Sequence, residues 1–539
     1  MTRWWQDRVV YQIYPRSFMD SNGDGIGDIP GIISRLDYLK SLGIGIIWLS
    51  PVYSSPNEDN GYDISDYRDI NPEYGSMEDM DHLIAEAGKR DIRIIMDLVI
   101  NHTSSQHEWF IKSREKDSPY RDYYFWRPGK GEKAPNNWTS FFAEDAWEYD
   151  EKSGEYYLHL FAKGQPDLNY HNPAVLEEIK DIMRFWLEKG IAGFRCDVIN
   201  IIWKSSLDDG RKRLALTGME HYLSQEGNHR ILKQLKNEVL SDFDCFTVGE
   251  TVFVTIETAH DLCDEERGEL DMIFSFEHME TDQWFIKWFP RKFKPARFFR
   301  TIAGWQRELE WNANYLENHD QPRSVSRFGD DGQYHIKSAK ALATLLLTLR
   351  GTPYIYQGQE IGMTNYPFKG LEDIRDIESH NLIEMAKKLH IPAWYRKKML
   401  MRGCRDHART PMQWVPQTGA GFTEGNPWLA INKNHREINA ANQLDEEDSI
   451  LNYYKKLIGI RKASDVLIKG SFREVEIQRD VFVYERKLDE KTIIIAVNLS
   501  DKFHTVSLKG RVILSNYGDE IFEGTMRPFE AVVVGEELI

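Results

Sequence analysis

Short β-rich runs alternate with helical patterns along most of this chain, and that alternation limits the fold more than any other feature. The runs lie at 9–15, 44–51, 92–99, 193–198, 245–250, 272–277, 312–320 and 352–360. Helical periodicity at 32–42, 76–89, 174–189 and 229–240 occupies intervals between them, with Gly or Asp at the junctions. About eight β-then-α units predict an α/β fold of the closed parallel kind, a (β/α)8 or TIM barrel. An open doubly wound sheet would carry a glycine-rich phosphate turn after an early strand, and none is present.

Three of the runs stop on a carboxylate: Asp197 after Gly193-Phe194-Arg195-Cys196, Glu250 after Phe246-Thr247-Val248-Gly249, and Asp320 after Glu317-Asn318-His319. A buried run that ends on an acid delivers an ionisable group to one rim of the sheet, where barrel enzymes keep their chemistry. A single such acid could be a structural ion pair, because an unpaired buried carboxylate is costly. Three together predict one carboxylate-based active site.

With 539 residues, 41% hydrophobic and 28% charged, the chain can bury a large core and should divide into more than one domain. The alternation breaks at 102–171, where aromatics, Gly/Pro turns and a strand-like stretch at 156–161 predict an inserted subdomain beside the rim. After a helix at 450–462, short strands at 481–486 and 492–498 announce an antiparallel β-domain. The predicted division is barrel 1–101, inserted subdomain B 102–171, barrel 172–464 and C-terminal β-domain 465–539. A formal charge of −17, offset by no Lys/Arg run, disfavours nucleic acid and anionic membranes and leaves a neutral polar substrate. The start, Met1-Thr2-Arg3-Trp4-Trp5-Gln6-Asp7, lacks a basic leader with an apolar stretch, and no later segment is apolar for long enough to span a bilayer. Four cysteines without CxxC spacing, Cys196, Cys245, Cys263 and Cys404, indicate neither a disulfide framework nor a zinc site. Cys196 and Cys245 read as small packing residues within strands. The expectation is a monomer in the cytoplasm.

Read in order, Asp97-Leu98-Val99-Ile100-Asn101-His102, Gly193-Phe194-Arg195-Cys196-Asp197, Val248-Gly249-Glu250 and Asn318-His319-Asp320 resemble the four signatures of the α-amylase-type family of retaining α-glycoside hydrolases. The likeness runs through the chain. The segments Val9-Val10-Tyr11-Gln12-Ile13-Tyr14-Pro15, Gly61-Tyr62-Asp63 and Arg405-Asp406-His407-Ala408-Arg409-Thr410-Pro411-Met412-Gln413-Trp414 look like its oligo-1,6-glucosidase and α-glucosidase branch, and Gln165-Pro166-Asp167-Leu168-Asn169 like that branch's marker.

Cleavage with retention needs an ionised carboxylate to attack the anomeric carbon and a protonated acid on the leaving oxygen, about 5–5.5 Å apart. Asp197 suits the first role, with Arg195 on the same strand face to keep it ionised. Glu250 suits the second, in a dry strand-end setting expected to raise its pKa. By resemblance, Asp320 is the third acid and grips ring hydroxyls, His102, His319 and Gln165 bind the same sugar, and Tyr62 stacks beneath it. Asp97 and Asn101 support the site from behind. Asp59 and Arg405 match a pair that closes the pocket behind the terminal ring, a rigid wall by fork-to-carboxylate geometry. Phe142 and Phe161, in the inserted subdomain, are expected to line the apolar side.

The loop Asp20-Ser21-Asn22-Gly23-Asp24-Gly25-Ile26-Gly27-Asp28 sets oxygen side chains at alternate positions, the layout of a hard-cation loop, though without the distal Glu of an EF-hand. The resemblance implies structural Ca2+ held by Asp20, Asn22, Asp24, the Ile26 carbonyl and Asp28; magnesium or an unoccupied acidic turn is the alternative.

Valine directly after the nucleophile, Val198, goes with α-1,6 preference in the resembling branch, and its side chain is expected where the leaving sugar docks. The apolar stretch Thr251-Val252-Phe253-Val254-Thr255 departs from the polar sequence expected there. The implied activity is exo-acting release of glucose from short α-1,6-linked glucosides such as isomaltose. Alternatives are an α-1,4-glucosidase or sucrase, and a sucrose isomerase. The last is disfavoured because Phe289-Pro290-Arg291-Lys292-Phe293-Lys294-Pro295 lacks an Arg-Leu-Asp-Arg motif, and a catalytically silent sugar-binding relative is disfavoured because all three acids are present.

Overall fold

The computed structural model describes residues 3–535 apart from 143, 214 and 285; Met1, Thr2 and the end of the chain at 536–539 lie outside the described residues. Eight strands form the barrel: β1 (Val10–Ile13), β2 (Ile46–Leu49), β3 (Arg93–Leu98), β4 (Gly193–Cys196), β5 (Phe246–Glu250), β6 (Met272–Phe274), β7 (Ala313–Asn314) and β8 (Thr352–Tyr356). Every ladder is parallel, in the order β6-β5-β4-β3-β2-β1-β8-β7. β6 and β7 meet at the seam by packing, with no ladder between them among the described residues. Strands such as Ile46-Ile47-Trp48-Leu49 are buried on both faces, so they read as unbroken apolar runs.

Three sequence expectations change. The run at 312–320 keeps a ladder only at Ala313–Asn314, because the residues beyond it satisfy their backbone through side chains. Glu317 accepts from the Ser324 N–H, and Asn318 Oδ1 accepts from the Asp320 N–H at 2.8 Å. The acid-bearing end therefore leaves the sheet and bends over the rim. The helix expected at 32–42 is two helices, Ile29–Ser34 and Leu36–Leu42, broken at Arg35; Asp28 caps the first and Gly43, at φ 95°, ends the second. Met77–Lys89 begins with a Ser76–Asp79 capping box and buries Met80, Leu83 and Ala87. Cys245 sits one residue before β5 rather than within it.

Between β3 and β4 stands a three-stranded antiparallel sheet, Trp126–Arg127, Glu155–Leu158 and Trp147–Asp150 in that order. Its apolar cluster, including Phe125, Trp138, Trp147 and Leu158, also takes in Val198 and Ile201 from the segment after β4, so this subdomain is seated on the acid-bearing rim. The C-terminal part is a six-stranded antiparallel sheet from Ser471–Ile477 to Ala531–Gly535. Among the described residues no helix is long and apolar enough to cross a membrane.

Candidate active site

Register brings the first acids together. Asp97 on β3 lies opposite Arg195 on β4, and the Asp197 N–H continues the ladder to the Leu98 carbonyl at 3.0 Å. The buried Arg195 guanidinium serves three carboxylates: Nη1 donates to Asp97 and, at 2.6 Å, to Asp197 Oδ1, while Nη2 lies 2.8 Å from Glu250 Oε2. Trp48 Nε1 fixes Asp97 from the far side at 2.6 Å, and the Val198 N–H reaches Glu250 Oε2 at 3.3 Å. One cation thus serves three buried acids, and its attraction is divided among them. Burial pushes the Asp197 carboxyl well above the usual carboxylate range; Arg195 opposes this, while Glu250 and Asp97 add to it. Asp97 is pushed up to about 6 by burial against the pull of Arg195. The expectation that Arg195 keeps Asp197 ionised meets this sharing: Arg195 favours the Asp197 anion, while burial and the neighbouring Glu250 and Asp97 oppose it.

The third acid is set differently. Arg409 Nη2 lies 2.6 Å from Asp320 Oδ1 and Arg405 Nη1 at 3.5 Å. Burial works against ionisation of Asp320, but His319, Arg405 and Arg409 bring it well below the usual range. Burial keeps His319 itself down at about 3, so at neutral pH the arginines are the cations that act. Gln12 Nε2 donates to His319 Nδ1 at 2.7 Å, leaving Nε2–H for the Tyr62 hydroxyl at 2.7 Å. The Tyr62 and His319 rings lie nearly parallel and offset, centroids 5.3 Å apart. The ring nitrogens of His102 are engaged by the Tyr62 carbonyl at 3.0 Å and by Asn101 Nδ2 at 3.2 Å.

Asp59 and Arg405 meet at 3.1 Å, both buried, and Arg405 also contacts Asp376 at 2.7 Å and Glu378 at 3.5 Å. Gln165 Nε2 donates to Asp59 Oδ2 and to the Tyr62 carbonyl, 3.2 Å each, joining this wall to the Tyr62 turn. The Arg405 guanidinium lies 5.5 Å from the Phe142 ring, and Phe161 packs at 5.8 Å on Phe142 and 5.1 Å on His102. The Val198 side chain joins the subdomain's apolar cluster, with Phe161 packed against it, and its backbone is left-handed at φ 37°.

Sequence reasoning passed over several groups. Arg409 carries no motif role of its own, although its i,i+4 spacing from Arg405 puts both on one helical face. Asp376 caps the helix Ile377–Lys388 and gave no local signal. Lys204, fully buried, pairs with Asp167 at 2.6 Å and donates to Asn101 Oδ1 at 2.8 Å, tying the 165–169 marker to the ends of β3 and β4; a lone lysine after an apolar run carries no such sign in sequence.

In the 20–28 loop, Asp20 accepts from the N–H groups of Asn22, Gly23 and Gly25 at 2.7–3.0 Å, Asn22 from Asp24 N–H at 2.9 Å and Asp24 from Ile26 N–H at 2.8 Å. Asp28 caps Ile29–Ser34 through Gly31 N–H. Gly25, at φ 93°, leans so closely on the 423–428 segment that a Cβ would lie 1.8 Å from the Asn426 carbonyl oxygen. All candidate donors are oxygens, which suits a hard cation. Asp20 and Asp28 are buried, and among the described residues neither has a cationic side chain within ion-pair reach. Among the described residues the acids are not drawn into a three-carboxylate cluster.

A family model for the alpha-amylase catalytic domain matches residues 12–470. An oligo-1,6-glucosidase of Parageobacillus thermoglucosidasius is 50% identical over 98% of this chain and 98% of its own, and one of Bacillus cereus is 47% identical over 98% and 99%. The structure of an isomaltulose synthase from Erwinia rhapontici NX5, in complex with sucrose, superposes with a TM-score of 0.96 at 42% identity, covering 99% of each chain.

Proposed function

The chain belongs to the alpha-amylase family of glycoside hydrolases, and on that premise we propose that it releases glucose from the non-reducing end of short α-1,6-linked glucosides by retaining double displacement. The observation that carries the reading is the shared Arg195 guanidinium, which places Asp197 and Glu250 side by side as retention requires. Relatives at 47–50% identity named oligo-1,6-glucosidase support the linkage.

In the first step Glu250 gives its proton to the glycosidic oxygen as the C1–O bond breaks, and Asp197 Oδ forms the bond to C1. Arg195, within hydrogen-bond reach of both carboxylates, steadies the Asp197 anion in that step. In the second step Glu250, now ionised, takes a proton from water, whose oxygen displaces Asp197 and returns the α-anomer. Asp320, kept anionic by Arg405 and Arg409, accepts hydrogen bonds from ring hydroxyls; His102, His319 and Gln165 complete that side, and Tyr62 supplies the stacking face. The Asp59–Arg405 wall, backed by Phe142 and Phe161, gives exo-action. Val198 limits the leaving-group side.

Structural calcium at Asp20, Asn22, Asp24, the Ile26 carbonyl and Asp28 belongs to the same proposal, supported by the all-oxygen donors and the two buried carboxylates without a cationic partner. So do a monomeric state and a cytoplasmic location, the latter supported by four free cysteines.

Proton NMR of α-glucosyl fluoride hydrolysis, in which every glucose comes from the attacked C1, tests the central reading: α-glucose should appear first and mutarotate, and isomaltotriose should give glucose and isomaltose from the outset. Immediate β-glucose would overturn the mechanism, and internal cleavage the exo assignment. The likeness to an isomaltulose synthase favours one second reading, sucrose isomerisation, which shows itself when sucrose yields an isomer in place of free glucose and fructose.

A further inference from the structure

We propose that Phe253 is the platform on which the leaving sugar ring stacks, a specificity-determining residue that no part of the mechanism above employs. The inference rests on Glu250 being the proton donor, since that defines the side on which the leaving sugar departs.

The segment after Glu250 is held at both ends. Val252 donates its N–H to Asn200 Oδ1 at 3.0 Å and accepts from Asn200 Nδ2 at 2.9 Å, and Asn200 is wholly buried. The Val252 side chain packs against the apolar cluster that contains Val198. Three residues on, Thr255 caps the helix Ile256–Cys263 through a reciprocal pairing with Thr258. Val254 between them is buried. With Val252 and Val254 both turned inward, the chain adopts a left-handed conformation at Phe253, φ 54°, and the ring is left 46% exposed.

Two unfavourable choices coincide at this residue. A bulky side chain in the left-handed region is strained where glycine would be free of strain. A large ring in water gains nothing from burial, and among the described residues no aromatic ring or cation is stacked on it. Phe253 joins neither apolar cluster flanking it among the described residues, so strain and exposure together point to a ligand. Three residues beyond the proton donor and one beyond a side chain seated on the Val198 cluster, the ring stands at the leaving-group rim. A pyranose presents a C–H face that an aromatic ring covers without hydrogen bonds, and the flexible α-1,6 link allows the departing ring to lie flat on such a surface. Neutral glucosyl units, in place of phosphorylated or charged leaving groups, are the class this apolar surface fits.

The experiment compares wild type with Phe253→Gly and Phe253→Tyr on isomaltose, isomaltotriose and α-glucosyl fluoride, the last having no leaving ring. Phe253→Gly should lower kcat/KM on isomaltotriose about fivefold to tenfold and move α-glucosyl fluoride less than about twofold, while raising the melting temperature through relief of strain. Phe253→Tyr should keep the isomaltotriose activity. Equal kcat/KM for wild type and Phe253→Gly on isomaltotriose, or an equal loss on the fluoride, overturns the inference. Glu250→Gln serves as the separate control: if it loses fluoride and isomaltose turnover alike, the proton-donor reading itself fails and takes the platform with it; if the fluoride is spared, a failure of Phe253→Gly belongs to Phe253 alone.

Discussion

Replacing Lys204 by methionine removes one member of a buried ion pair and leaves the other stranded. Lys204 and Asp167 have no exposed side-chain surface and meet at 2.6 Å. Burial pushes the lysine down and Asp167 opposes it, so the ammonium depends on its partner. Asp167 in turn accepts from the Leu160 N–H at 2.8 Å and from Asn101 Nδ2 at 3.2 Å, holding the inserted subdomain against the end of β3. Breaking such a pair costs about 3–5 kcal/mol, because an uncompensated carboxylate remains in the interior. Spread over 539 residues, each contributing about 2.1 cal/mol/K of unfolding entropy, that loss lowers the melting temperature by about 3–4 °C. Calorimetry at one fixed scan rate measures it. Lys204→Met combined with Asp167→Asn should recover much of the loss, a coupling that a double-mutant cycle isolates. Since Asn101 and Gln165 adjoin both pocket walls, kcat/KM on isomaltose should fall in the single variant and partly return in the double. A single variant melting within about 1 °C of wild type, or strictly additive losses, would refute the reasoning.

Glu360 accepts hydroxyl bonds from Tyr11 and Tyr38 at 2.8 Å each, and burial pushes it up to about 7. The folded state therefore binds its proton more tightly than the unfolded chain, so stability is fully present below about pH 4.3 and falls by about 3–4 kcal/mol as pH rises to about 7; Glu360→Gln should flatten that slope, and an unchanged slope in urea titrations would count against it. Exhaustive chelation should release bound metal and lower the melting temperature, because a cation held only by the folded 20–28 loop stabilises by mass action; if neither metal content nor melting moves, the calcium reading is wrong. Val198→Ala should narrow the isomaltose-to-maltose ratio of kcat/KM by up to about 1–3 kcal/mol, chiefly by raising α-1,4 turnover; a ratio left untouched shows that Val198 does not set linkage.

Legibility in the sequence followed how local the determining physics is. Strands β1–β5 and β8 could be read because parallel strands buried on both faces are apolar throughout, and their acids stood out as interruptions. The apolar run at 312–320 outlasts its strand, because ladder loss at Tyr315 depends on Glu317 and Asn318 side chains meeting residues further along the chain. Motifs single out Asp197, Glu250, Asp320, Asp59 and Arg405, and the structure links the first two through Arg195 and the last three by ion pairs at Arg405. Asp376 and Lys204 are not singled out, since each gains meaning only from a partner far away in sequence, Arg405 for one and Asp167 for the other. The sharing of Arg195 among three acids likewise needs the β3–β4–β5 register, which no single segment encodes.

Barrel closure joins the two ends of a long stretch of chain. β1 pairs with β8, Val10 beside Tyr354, and the Tyr11 hydroxyl reaches Glu360, 349 positions later. During synthesis at about 5–20 residues per second, β1 therefore waits about 20–70 s for its second neighbour. Through that interval the growing sheet carries an open, largely apolar edge at Val10–Ile13, and the hydrogen bonds it lacks can be offered by another nascent chain. The same delay applies to Asp20, whose partner Thr423 lies 403 positions on. Ribosomes stalled before residue 352 would thus hold an adhesive, unclosed barrel of seven strands, and the yield of active enzyme becomes sensitive to translation speed and to chaperone supply in a way that its finished stability would not reveal.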